Sequence, residues 1–182
     1  MNEAGPGGAG GAASADGRTA ANATDHARRD WLAVLSRAPR DSLAEHASRL
    51  PDAHDFEWLR APETGLVMIR ARIANQGDRF NMGEATVTRC VVRHRSPRPA
   101  EHVNAERVGY AGVGYVLGRD EERAAWVARF DALLQQPDHH GALMREVIEP
   151  LRAATESVRN AKRQATAASR VRFFTLQPEV NG

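Results

Sequence analysis

The chain has 182 residues, a formal net charge of +2, one cysteine and no run of the roughly 18 apolar residues that a membrane helix needs. That length suits one domain with its own core, and a single cysteine excludes an intrachain disulfide and fits a reducing cytoplasm. The near-balanced charge, the lack of a lysine-rich arm and the lack of zinc-finger spacing argue against a nucleic-acid binder.

Residues 1–23 are glycine, alanine and small polar residues with little to bury, so they read as a disordered tail. They have neither the cationic start nor the apolar centre of a secretory signal. A single domain is expected over residues 24–182. Thr24 is placed to cap a first helix, with Ala27, Trp31, Val34, Leu35 and Ala38 on one face and Pro39 at its end. Ser42 and Glu45 have capping-box spacing, ahead of a stripe of Leu43, Ala47 and Leu50. A short strand is expected at residues 56–59, stopped near Pro62. From Leu66 to Ile73 the period changes to two, with Arg70 and Arg72 on one face. Residues 75–84 read as a loop carrying Gly77, Arg79 and Gly83, and residues 85–95 as a long second strand.

After a polar excursion at residues 96–105, residues 108–117 read as a strand weakened by three glycines. Asp120 is the expected N-cap of the strongest helix, whose buried stripe is Trp126, Val127, Phe130, Leu133 and Leu134. Pro137 stops that helix, and a short helix through Leu143, Met144, Val147 and Ile148 is broken by Pro150. Residues 151–169 are helical with a thin seam of Ala154, Val158, Ala161, Ala165 and Ala168. Residues 171–176 make a last strand with Phe173 and Phe174 on opposite faces. Helices, a meander, then helices give an α+β fold: an antiparallel sheet of a long central hairpin plus a C-terminal strand, packed with several helices.

Lys162 is the sole lysine, so the basic character rests on arginine, which forks onto carboxylates and phosphates. Arginine richness also reads as genomic bias. If register brings Arg70 and Arg72 beside Arg89 and Arg93, the sheet offers a guanidinium cluster that needs an anion or acidic side chains as partner. Arg79, in the glycine-bearing loop, and Arg119, at a helix start, are further anion-binding or interface candidates. Arg119 reads first as an ion-pair partner of Asp120 or Glu122. Asp138, His139 and His140 have no third ligand at metal spacing and read as a solvated turn, so no metal is expected. Cys90 reads as a small buried strand residue. Val158, Phe173 and Phe174 are candidates for contact with a partner subunit, because the seam and the terminal strand close little core by themselves.

Several stretches together resemble the PhnG family, the G subunit of the bacterial carbon–phosphorus lyase system. They are Glu63-Thr64-Gly65-Leu66-Val67, Gly77-Asp78-Arg79-Phe80, Gly83-Glu84-Ala85-Thr86 with Thr88-Arg89, Gly114-Tyr115, Gly118-Arg119-Asp120, Asp131-Ala132-Leu133, Pro150-Leu151, Ser169-Arg170-Val171 and Phe173-Phe174-Thr175. The resemblance covers residues 30–176. It departs from the family pattern in the N-terminal tail, in extra length at residues 96–106 and in a shortened run at residues 114–118. The resemblance implies a cytoplasmic synthase in organic phosphonate catabolism that transfers methylphosphonate to C1′ of the ATP ribose. Adenine is released and α-D-ribose 1-methylphosphonate 5-triphosphate is formed. It implies a hetero-oligomer in which this chain is an accessory or scaffold subunit bound directly to an I-type catalytic subunit. H- and J-type subunits and an ATP-binding-cassette-like subunit are the further implied partners. ATP is then the substrate of the complex, this chain binds no cofactor, and the iron–sulfur cluster and S-adenosylmethionine belong to the J-type subunit. It transfers no catalytic residue to this chain. The alternatives are a purely structural scaffold and a stand-alone anion-binding module.

Overall fold

The computed structural model describes residues 13–51, 55–73, 76–95 and 109–169, with side chains from residue 24 onward. In order these form α1 (Ala13–Arg37), α2 (Arg40–Ala47), β1 (Phe56–Arg72), β2 (Arg79–His94), β3 (Ala111–Leu117), α3 (Glu121–Leu134) and α4 (Pro137–Leu143). A π-helical turn, Met144–Ile148, then leads into α5 (Glu149–Ala168). The strands make one antiparallel sheet in the order β1-β2-β3, with α3 laid across one face. The fold is therefore α+β. The expected strand at residues 171–176, with Phe173 and Phe174, and the excursion at 96–105 lie outside the described residues. No described helix is long and apolar enough to cross a membrane.

Strand alternation explains which face is buried. Thr88, Cys90, Val92 and His94 of β2 are buried towards α3, as are Gly112, Gly114 and Val116 of β3. α3 returns Ala124, Val127, Ala128, Phe130, Leu133 and Leu134, all nearly inaccessible to water. Trp31, Leu35 and Ala38 of α1, Leu43 of α2, and Val147, Ile148 and Leu151 complete one core. Trp126 packs at its margin rather than within it.

Polar groups fix the junctions. The Asp120 side chain caps α3 by accepting from the Arg123 N–H at 3.0 Å. The fully buried Thr88 hydroxyl donates to Gly118 O at 2.7 Å and accepts from the Asp120 N–H at 3.2 Å, tying β2 to the turn before α3. Arg123 donates to Ser36 O and Ala38 O, both at 2.8 Å, which satisfies carbonyls at the end of α1.

Several local expectations are corrected. α1 is continuous from Ala13 through Thr24, past the expected cap; the five alanines of that stretch favour the helix. α2 begins after Pro39, so Ser42 lies inside the helix and caps nothing. Pro62 does not end the first strand. β1 is an edge strand among the described residues, and its register shifts between Arg60 and Glu63, where a missing N–H can be tolerated. Arg79 lies in β2, opposite Arg72, rather than in a loop. Pro150 breaks no helix. It stands in the first turn of α5, where its absent N–H has no helical partner to lose, and the π turn precedes it.

Candidate functional site

The face of the sheet away from α3 is where the arginine candidates were expected to gather. They do not. Arg89 lies opposite Glu63 on β1 and Tyr115 on β3, and Arg93 lies opposite Glu57 and Ala111. Arg70 lies opposite Asn81, and Arg72 opposite Arg79, towards the hairpin tip. From Glu63 to Arg70 and Arg72 the strand rise separates the two sets by roughly 23 to 30 Å. The pairing register therefore makes two sites, not one cluster.

The first site is an ion triad. Arg89 Nε donates to Glu63 Oε1 at 2.6 Å, and an Arg60 terminal nitrogen lies 3.1 Å from the same oxygen. The hydrogen bond from Arg89 is the largest effect and holds the Glu63 carboxyl below its usual range; burial opposes it, and the Arg60 charge adds to the lowering. The partner of this arginine face is thus an acidic side chain of the same sheet. Around the triad lie Val91, Val113, Tyr115 and Leu117, of which Tyr115 is 45% and Leu117 67% exposed.

The second site is the distal hairpin. β3 pairs with β2 only between Val87 and Arg93, so the segments 66–72 and 79–86 continue as a two-stranded arm. Arg70, Arg72 and Arg79 on this arm form no ion pair among the described residues; Arg72 reaches only Gly77 O at 3.4 Å. Arg119 is exposed and makes no bridge to Asp120 or Glu122. Both carboxylates bind Arg40 instead, whose cation also lies 5.2 Å from the Trp126 ring. Val158 is 69% exposed, and from Glu156 onward every described residue of α5 is exposed, so the alanine seam meets no described element there. Nearer its start, α5 and α1 frame a groove of about 370 Å³ lined by Asp30, Arg37, Arg152, Glu156 and Arg159, a mixed rather than a cationic set.

Sequence reasoning missed Asp131 as a structural centre. Its carboxylate is fully buried and takes Arg28 on both oxygens, at 3.2 and 2.6 Å. It also accepts from the Trp31 indole N–H at 2.9 Å and from the Val113 N–H at 2.9 Å. Arg28 continues to Ala111 O at 3.1 Å, so one carboxylate joins α1, α3 and β3. The available signal was an acidic residue one turn after Val127 and Ala128, within the apolar stripe of α3.

Cys90 is buried, and that burial pushes its thiol from 9.0 up to about 11. Two pH units mean about 100-fold less thiolate, the reactive form, than an unfolded chain offers near pH 8. Labelling of the native protein at pH 8 is therefore expected to run at least about 100-fold slower than in urea, and to rise roughly tenfold per pH unit up to about 11. Because burial favours the neutral thiol, its stabilising effect is full below 9.0 and fades as pH rises towards 11. Native labelling at the unfolded rate would show that Cys90 is accessible.

His94, His139 and His140 are engaged within the fold. His94 Nδ1 meets Gln136 Nε2 at 3.0 Å and its ring packs on Phe56; burial, then the charge of His139, holds its imidazole below the ordinary value. His140 Nδ1 donates to Leu134 O at 2.7 Å, and its ring meets Trp31 edge-on. Asp138, His139 and His140 lie in the short helix α4 rather than in a turn, and Asp138 and His139 are solvated as expected. Among the described residues no three His, Cys, Asp or Glu side chains gather as a metal site.

The family model for the phosphonate metabolism protein PhnG matches residues 26–178. A relative from Rhizobium meliloti (strain 1021) is 38% identical over 149 residues, covering 82% of this chain and 87% of its own length. It bears the name alpha-D-ribose 1-methylphosphonate 5-triphosphate synthase subunit PhnG.

Proposed function

The chain belongs to the PhnG family of phosphonate metabolism, and from that premise we propose that it is an accessory subunit of α-D-ribose 1-methylphosphonate 5-triphosphate synthase. In this reading it binds an I-type catalytic subunit within a hetero-oligomer that also contains H- and J-type subunits and meets an ATP-binding-cassette-like partner. ATP and methylphosphonate are substrates of the complex. The iron–sulfur cluster and S-adenosylmethionine serve the J-type subunit in the later cleavage of the carbon–phosphorus bond.

The observation that supports an accessory role is the internal use of its conspicuous polar groups. Glu63 is held by Arg89 and Arg60, Asp131 by Arg28 and Trp31, and Asp120 and Glu122 by Arg40. Each of these is a structural pairing, not an acid or base aimed at a cleft. The reaction itself asks for positioning. A phosphonate oxygen must form a bond to C1′ as the bond from C1′ to the adenine nitrogen breaks, in competition with water. Alignment and exclusion of water supply much of such a rate, and a neighbouring subunit can provide both by closing the site. The scaffold reading differs only in keeping this chain away from the substrate. A stand-alone anion-binding module is disfavoured, because register splits the arginines that would have formed its site.

The test is omission and return. A synthase reconstituted without this chain is expected to release adenine from ATP and methylphosphonate at least about 100-fold more slowly, the scale of a misplaced reactant. Adding the full chain back restores the rate. Full activity without it sinks the accessory reading; lost assembly, with activity recovered by tethering the other subunits, favours the scaffold. Arg89→Ala is expected to leave both assembly and adenine release within about twofold of Arg49→Ala, an exposed control, since an exposed pair such as Arg89–Glu63 contributes little. Loss of adenine release with assembly intact would instead place Arg89 at the substrate.

A further inference from the structure

The distal half of the β1–β2 hairpin has a composition that water alone does not explain. Beyond Gly65 and Val87 it has two strands and no third among the described residues. An isolated two-stranded ribbon is marginal in water and ordinarily carries polar side chains on at least one face. This one carries Leu66, Met68, Ile69, Ile73, Phe80 and Met82, which are 64, 52, 39, 61, 43 and 68% exposed. The register shifts between Ile69 and Arg70, opposite Gly83 at φ +144°, so Met82 sits at a bulge that re-aims the tip. Two methionines and a phenylalanine on such a tip are adaptable, apolar contact groups.

The charges on the same arm say what kind of surface it meets. Arg70, Arg72 and Arg79 have no ion pair among the described residues and face no carboxylate across the two strands, whereas Arg89 is bound to Glu63 opposite it. Arg72 even lies directly opposite Arg79, a like-charge pair that an acidic neighbour would relieve. A second copy of the chain meets this requirement badly. Two arms related by a two-fold axis would bring the same three guanidiniums of each copy together.

We propose that the two-stranded arm of β1 and β2 is a docking element that seats its apolar side chains in a groove of another protein subunit, rimmed by carboxylates that pair with Arg70, Arg72 and Arg79. The inference rests on the reading of this chain as a synthase subunit and adds the surface and the chemistry of its partner. The apolar side chains supply affinity by leaving water, and the arginines supply register and rate of encounter.

The test uses the full tagged chain co-expressed with the other synthase subunits. Three variants are compared: Phe80→Glu with Met82→Glu, Arg70→Glu with Arg72→Glu and Arg79→Glu, and Arg49→Ala in the exposed turn after α2 as a control. Circular dichroism and the urea midpoint of each purified chain report folding separately from capture. Both arm variants are expected to fold as the parent does and to bind the partner about 30-fold or more weakly, a hot-spot loss. Capture by the parent is expected to weaken as salt is raised. Arg49→Ala is expected to bind like the parent. Arm variants that bind normally, or a control that fails while they succeed, overturn the proposal. So does a change from dimer to monomer with subunit capture intact, which would make the arm a self-association element. If the parent chain captures no synthase subunit at all, the subunit reading itself fails, an outcome distinct from an arm that proves dispensable.

Discussion

Replacing Asp131 by alanine is expected to cost about 3–5 kcal/mol of folding stability, the range for removing one partner of a buried charged network. The expectation follows from what the carboxylate leaves behind. The Trp31 ring is 3% exposed, so its N–H has no ready water to turn to, and the Val113 N–H faces the same loss. Among the described residues Arg28 then retains only the Ala111 carbonyl as a hydrogen-bond partner. Each unmet buried donor costs roughly 1–3 kcal/mol, and a domain of this kind has only about 5–15 kcal/mol in total. Asp131→Asn keeps the shape but must turn an NH2 group towards at least one existing donor, so about half the loss is expected. Urea unfolding of the full chain measures both, with an unchanged slope marking a native-state effect. A loss under about 1 kcal/mol for Asp131→Ala would mean that α1 is not fastened to α3 through this carboxylate.

That residue also marks where reading the chain by period stops. The elements with a long, single period were legible: the stripe of Trp31, Leu35 and Ala38 in α1, the alternation in β1 and β2, and the Asp120 cap of α3 all have the physical roles their spacing implies. Periodicity is a statement about apolar side chains, and a carboxylate inside the stripe registers only as an interruption. Two of its three donor residues, Trp31 and Arg28, lie 100 and 103 positions away and the third is the Val113 backbone of β3, and no local pattern encodes them. The same limit applies to the arginine face. Alternation correctly put Arg89 and Arg93 on one side of β2, but which β1 residues lie opposite depends on the bulges at residues 58–63 and 69–70. A slip of register cannot be read from one strand alone. Proline was over-read for a related reason. Pro62 and Pro150 are forbidden only where their N–H would have been used, and an edge strand and a first helical turn do not use it.

Glycine in β3 was read as weakness, and the structure gives it a different meaning with a large expected effect. Gly112 and Gly114 face α3, and an added Cβ at Gly114 would fall on the Ala124 carbonyl oxygen and 2.9 Å from Cys90 Sγ. At Gly112 it would fall on the Ala128 carbonyl oxygen and 2.5 Å from the Ala132 N. The matching small residues Ala124, Ala128 and Ala132 recur every four positions on the helix, so helix and strand backbones touch along one line. The obstructing atoms are backbone, which no rotamer change can move. Gly114→Ala is therefore expected to destabilise by about 3 kcal/mol or more, at or above the usual limit for overpacking, or to prevent folding. Gly65→Ala is the control, because nothing lies within 4 Å of its added Cβ, and it is expected to stay within about 0.5 kcal/mol of the parent. Pairing Gly114→Ala with Ala124→Gly should give no rescue, since the clash is with a carbonyl that the second change leaves in place. Recovery of stability in that pair, measured by thermal unfolding, would show instead that α3 can lift from the sheet at low cost, and that the glycines set no limit on how closely helix and strand approach.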